Sequence, residues 1–245
     1  MANNMEVTIY KLGNILYKYA FPIYKPLYFQ YKQKSDKKKI KHLREIIKAD
    51  MTILDIGANI GFYTSLFSEL VGANGKVYAF EPEDINFKHL KSITSKYNNI
   101  TLEKSAVGNI SGKIKLYHSK NLNVDHQTYD TGENRKYSEI QSIALDDYFI
   151  KNEKIDFIKI DIQGYDFFAI SGLKETIKRS DNLMIFGEFW PYGLKKAGVD
   201  YRDYIKLLED LGIKMKFFCS EEDVKNFNNK INDWNFSTDF LGSKH

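Results

Sequence analysis

Leu54-Asp55-Ile56-Gly57-Ala58-Asn59-Ile60-Gly61 is the stretch on which the reading of this chain turns. Residues 52–56, bounded by Gly57, read as a short buried strand. Beyond it Ile60, Tyr63, Phe67 and Leu70 return near one helical face, and Gly72 to Gly75 close that helix. Glycines where a strand becomes a helix let a ligand approach bare backbone and meet the amides of the helix start. Glu81 stands twenty-six positions after Asp55, at the end of a second strand, in Phe80-Glu81-Pro82. An acid at that place accepts hydrogen bonds from ribose hydroxyls in Rossmann-like sites. Either half alone is also explained by packing, but together, in register with the elements, they predict a nucleoside site.

Working outward, strand and helix alternate from Met51 onward. The pattern predicts a helix over 84–97, a strand over 100–107 and turn chemistry at Gly108-Asn109-Ile110-Ser111-Gly112, with 113–117 as a hairpin partner. Residues 121–134 are polar and aperiodic, a long loop. A short helix at 145–150, a strand at 155–162 and a helix at 167–178 follow. Further strands are expected at 183–189, 213–219 and 234–241, with a helix over 201–211. The expected fold is α/β: a Rossmann-like, mostly parallel seven-stranded sheet with helices on both faces.

Residues 1–48 read differently, as a helical, aromatic and basic extension to a domain spanning 49–245. Ile9, Leu12, Leu16 and Ala20 recur at helical spacing until Pro22 stops or kinks the helix, and a second helix starts at Ser35 or Asp36. Between Lys32 and Lys48 eight basic residues face two acidic ones, a local surplus larger than the whole chain's net charge of +4. That balance gives no reason to expect a nucleic-acid partner. The extension reads as a lid, as a foot on an anionic membrane, or as a plain helical attachment with its lysines in water. Cys219 is alone, which excludes an intrachain disulfide. Neither a signal peptide nor a membrane-length apolar run is legible, so the cytoplasm is the expected location. No heptad pattern fixes an oligomeric state.

The glycine spacing narrows the ligand. A dinucleotide fingerprint reads G-x-G-x-x-G, whereas here Asn59 takes the middle place and Gly61 follows two residues later. This disfavours a nicotinamide-dependent oxidoreductase and suits a ligand without pyrophosphate. With Ser105-Ala106-Val107-Gly108 and Ile158-Lys159-Ile160-Asp161-Ile162-Gln163-Gly164-Tyr165-Asp166, these stretches resemble the FkbM-type branch of class I S-adenosylmethionine-dependent methyltransferases. The resemblance covers roughly residues 50–241, and Gln163 stands where the family has an acid. It implies S-adenosyl-L-methionine as cofactor, with Asp55, Gly57, Ala58, Asn59, Gly61, Tyr63 and Thr64 about its methionine part, Glu81 and Pro82 at the ribose, and Ser105 and Ala106 at the adenine. It also implies O-methylation of a small-molecule or glycan acceptor, such as a sugar or secondary metabolite. A non-catalytic module retaining the fold is the remaining alternative.

A hydroxyl acceptor needs its proton removed. Asp161 and Glu188 end neighbouring strands and should project into one crevice. Either serves as a base, or the two hold Mg²⁺; alternatively Asp161 merely caps the next helix or pairs with Lys159 or Tyr165. His126, beside Asp125 in the polar loop, is the other candidate base. Trp190, Tyr192 and Tyr165 are candidate walls for the acceptor. His42, His89, His118 and His245 read as surface residues.

Overall fold

The computed structural model describes residues 4–119, 126–130, 134–150 and 153–244, with side chains from Leu12 onward. Asp125, His245 and much of the stretch 121–134 lie outside these residues.

Three helices come first: α1 (Asn4–Tyr19), α2 (Phe21–Ser35) and α3 (Lys37–Ile46). The sequence predicted only two. Pro22 does end the first helix, but it also opens the next, because in the first helical turn its missing amide would be unpaired anyway. Asp36 precedes α3 without capping it, since its carboxylate bonds Lys32 and Tyr63 instead.

The main domain opens with β1 (Thr52–Ile56), α4 (Phe62–Val71), β2 (Lys76–Phe80), α5 (Asp84–Thr94) and β3 (Ile100–Glu103). The expected strand over 100–107 divides here. β4 (Ala106–Val107) leaves the main sheet and pairs with β6 (Tyr137–Ile143), whose other neighbour is β5 (Gly112–Tyr117). β6 was not predicted, and it, not the third strand, is the hairpin partner of β5. Its sequence Tyr-Ser-Glu-Ile-Gln-Ser-Ile places one buried residue, Ser142, so no apolar alternation announces it.

The second half runs through α6 (Leu145–Tyr148), β7 (Phe157–Ile160), α7 (Asp166–Ser171), α8 (Lys174–Arg179) and β8 (Met184–Phe189). It continues with α9 (Pro191–Lys196), α10 (Tyr201–Asp210), β9 (Ile213–Phe217), α11 (Glu221–Lys225), α12 (Phe227–Lys230) and β10 (Thr238–Lys244). The main sheet has seven strands in the order β3-β2-β1-β7-β8-β10-β9, with β10 alone antiparallel. Strand order reverses beside β1, so the crevice for a ligand opens outside the carboxyl ends of β1 and β7.

Alternate residues of the central strands feed two faces. Leu54, Ile56, Ile158 and Ile160 join α7, α8 and α10 on one side. Ile53, Val77 and Phe157 join α4 on the other, together with Leu43 of α3 and Ile47 just beyond it. Leu43 is fully buried, and its truncation to alanine is expected to cost about 2–5 kcal/mol. The N-terminal helices are thus anchored to the domain at their last turn.

Candidate functional site

The turn after β1 is held from below. Asp55 and Thr64 are both fully buried; the Thr64 hydroxyl donates to Asp55 Oδ2 at 2.6 Å. Lys159, opposite Asp55 in the register of β1 and β7, places Nζ 3.5 Å from Asp55 Oδ1 and donates to the Gly57 carbonyl at 2.8 Å. Asp55 and Thr64 thus brace the turn from beneath, with Asp55 Oδ1 left without a hydrogen bond of its own. Gly57 has φ +79°, and a Cβ there would stand 2.2 Å from the Asp161 carbonyl oxygen. Its glycine is required by the close approach of the β7 end as well as by its left-handed backbone.

Asn59, also left-handed at φ +50°, turns its amide toward β2. That amide donates to Glu81 Oε2 at 2.8 Å, and the Glu83 amide donates to Oε1 at 3.0 Å. The Asn86 side chain reaches Oε1 at 3.4 Å, and the Tyr17 hydroxyl of α1 donates to Asn86 Oδ1. Burial pushes the Glu81 carboxyl up to about 7, against the pull of those hydrogen bonds. Pro82 is half-buried beside it, and Ala58 is buried. Ser105, just before β4, and Ala106, its first residue, are 2% and 6% exposed, and the Ser105 hydroxyl is buried without a hydrogen-bond partner.

A second cluster gathers at the ends of β7, β8 and β10. Asp161 is exposed, and accepts from Gln163 at 3.2 Å; neither Lys159 nor Tyr165 pairs with it. Glu188 is half-buried and accepts from Ser237 at 2.7 Å. Its carboxyl is pushed up to about 7 by burial first and then by the neighbouring Asp161 charge. Asp239 faces Glu188 across β10 and β8, and Lys39 of α3 binds it at 2.8 Å. Burial raises the Asp239 carboxyl, while the Lys39 ammonium restrains it.

The fold and the turn agree with the sequence relationships. The methyltransferase FkbM domain matches residues 55–215, about two thirds of the chain. The chain belongs to the FkbM methyltransferase family. No curated protein matches the sequence. Among solved structures, one from Clostridium thermocellum described as an rRNA methylase is 12% identical, with a TM-score of 0.54 over 85% of this chain and 94% of that one. A methyltransferase from Streptococcus mutans in complex with SAH is 11% identical, with a TM-score of 0.51 over 85% and 97%. Aeropyrum pernix fibrillarin with bound S-adenosyl-L-methionine is 14% identical, with a TM-score of 0.50 over 84% and 74%. At such identities the structural likeness establishes the shared class I fold. Family membership makes this chain an S-adenosylmethionine-dependent methyltransferase and sets aside the nicotinamide reading.

In this FkbM methyltransferase the other expected site residues fall unevenly. Tyr63 directs its hydroxyl to Asp36 at 2.6 Å, so it ties the extension to the turn. The His126 Nδ1 accepts from the Ser119 amide, its ring abuts His118, and burial first and His118 next lower its pKa to about 4. Mg²⁺ at Asp161 and Glu188 finds no support, since no group of three acidic, histidine or cysteine side chains gathers for a metal among the described residues. Trp190 is buried and donates to the Trp234 carbonyl at 3.1 Å, while Tyr165 stacks on Phe168. His89, expected at the surface, is half-buried, stacking on Phe21 and meeting Tyr17 edge to face.

Further residues, outside the expected site set, gather at the two clusters of the FkbM methyltransferase. Lys39, Asp239, Asn86 and Lys159 join the two clusters, and Tyr28 of α2 is held near Asp161 and Asp36, its hydroxyl pKa raised chiefly by burial. Lys39 and Asp239 lie two hundred positions apart, and no local pattern links them. Lys159 had one available signal, a cation inside an otherwise apolar strand.

Proposed function

We propose that this methyltransferase alkylates a hydroxyl oxygen on a sugar or glycan, with Glu188 as the base. The observation that carries the reading is the state of Glu188: a half-buried carboxylate at a strand end, pushed up to about 7 and restrained on one oxygen by Ser237. A base with that pKa is matched to taking a proton near neutral pH.

The residues present fit the cofactor. Gly57, Ala58, Asn59 and Gly61 would hold its aminoacyl end at the turn, Glu81 its ribose, and the unpartnered Ser105 hydroxyl, with Ala106, its adenine edge. Bound there, S-adenosylmethionine supplies an electrophilic sulfonium methyl. Such a reaction needs alignment and exclusion of water more than further activation. Glu188 would take the hydroxyl proton on its free oxygen as the acceptor oxygen takes the methyl, the methyl–sulfur bond breaking to leave a neutral thioether. Tyr28 lies near Asp161 and Asp36, and Lys39 offsets the charge gathered at Asp161 and Asp239.

Tyr192 and Trp234 support a sugar acceptor. Their rings meet edge to face at 5.8 Å, and Trp234 is 49% exposed three residues before Ser237. An exposed aromatic face suits the apolar face of a sugar ring. The test is transfer of labelled methyl to glycans and small hydroxylated acceptors, with RNA as a separate acceptor and EDTA as a control. Product carrying an acid-stable ether methyl, formed equally well with EDTA, is expected. Label on nitrogen, on RNA alone, or lost with EDTA would overturn the reading.

A further inference from the structure

The N-terminal helices present a face that no described part of the chain covers. Leu12, Ile15 and Tyr19 on α1 and Ile23, Leu27 and Tyr31 on α2 follow one another every three or four residues, each 54–75% exposed. Six of the thirteen exposed large apolar side chains among the described residues lie on this stripe, while the others are scattered as on any surface. The inner faces of the same helices are already engaged. Tyr17 is 4% exposed and bonded to Asn86, Tyr24 and Tyr28 stack, and Phe29 meets Phe62 edge to face at 5.1 Å. With those contacts made inward, the stripe faces out.

Charge decides what the stripe suits. From Leu12 to Arg44 the one acidic residue is Asp36, which is buried and bonded to Lys32 and Tyr63. Lys18, Lys34, Lys37, Lys38, Lys41 and Arg44 are exposed around it. Two copies joined through the stripe would bring these cations together, whereas a surface of anionic headgroups complements both the apolar residues and the lysines. No described helix is long and apolar enough to cross a membrane, so insertion in the surface plane is the geometry left to these two.

We propose that α1 and α2 dock on an anionic lipid bilayer, with the apolar stripe at the acyl boundary and the lysines on the headgroup phosphates. The proposal is independent of the identity of the methyl acceptor. Co-sedimentation of the full chain with vesicles of phosphatidylcholine, and of phosphatidylcholine mixed with phosphatidylglycerol, tests it. Binding is expected to the mixed vesicles and to weaken as salt is raised. The triple variant Ile15→Ser, Ile23→Ser, Leu27→Ser is expected to bind more than roughly tenfold more weakly. The charge variant Lys37→Glu, Lys38→Glu, Lys41→Glu is expected to lose on the order of a hundredfold. Unchanged thermal melting and S-adenosylmethionine affinity confirm that either variant is folded. Absence of vesicle binding, equal binding to both vesicles, or a dimer in light scattering that the apolar variant dissolves would overturn the proposal. The salt dependence of the unaltered chain keeps the test decisive should a variant fail to fold.

Discussion

The backbone amide of Asn59 and the carboxylate of Glu81 are joined by a 2.8 Å hydrogen bond that ties the turn after β1 to the end of β2. The bond sets the two ends of the proposed nucleoside site against each other before any ligand arrives. Because Glu81 also accepts from the Glu83 amide, its orientation is over-determined by backbone donors, and burial leaves its proton affinity high.

Ribose hydroxyls donating to Glu81 favour its ionised form, so cofactor binding should release a proton. Affinity for S-adenosylmethionine is therefore expected to fall as pH drops below about 7, approaching tenfold per unit. Titration calorimetry across that range, in two buffers of different ionisation enthalpy, reads the released proton. Glu81→Gln should weaken binding roughly tenfold to a hundredfold and flatten the pH dependence.

The same group sets a stability slope without ligand. Its folded pKa, about 7, lies above the ordinary value of 4.5, so the stabilisation it gives in protonated form is complete below about 4.5 and lost as pH rises through 7. Relative to Glu81→Gln, the unaltered protein should lose on the order of a few kcal/mol between those limits. Denaturant unfolding at several pH values measures it, and parallel curves for the two proteins would contradict the buried assignment.

Gly57→Ala combines a left-handed residue with a Cβ placed 2.2 Å from the Asp161 carbonyl. A loss of about 2–4 kcal/mol is expected. The melting temperature should fall on the order of 5–15 °C. A variant as stable as the parent would show that β1 and β7 do not approach as described.

Glu188→Gln should lower kcat by about 10²- to 10⁴-fold and remove the limb of the pH–rate profile near 7, with cofactor affinity almost unchanged. His126→Gln should leave kcat within a few fold, because a histidine held at about 4 takes little part near neutrality. Reversal of these two effects would return the base to the polar loop.

Lys39→Met isolates the extension's electrostatic part. Lys39 lowers the Glu188 pKa, so its removal should move the kcat limb to higher pH while leaving the step's height similar. A uniform loss of kcat at all pH values would indicate a structural role only.

The fold was legible where its signals are local. Residues 52–61 read correctly because buried parallel strands are rich in apolar residues and the turn needs glycine, and Glu81 followed from its place at the next strand end. Other elements left weaker traces. β6 lacks an apolar alternation and buries only Ser142, and α2 hides behind Pro22, which reads as an end though it is also a beginning.

Sequence by itself determined the strand–turn–helix, the family and the cofactor class, because those depend on backbone conformation and on residues a few positions apart. Only the tertiary structure brought Lys39 to Asp239, Tyr17 to Asn86 and Lys159 to Asp55. Such pairings belong to segments far apart in the chain and to side-chain directions that no local period encodes. Burial then gave the carboxylates their proton affinities, a property of the assembled environment and of no residue alone.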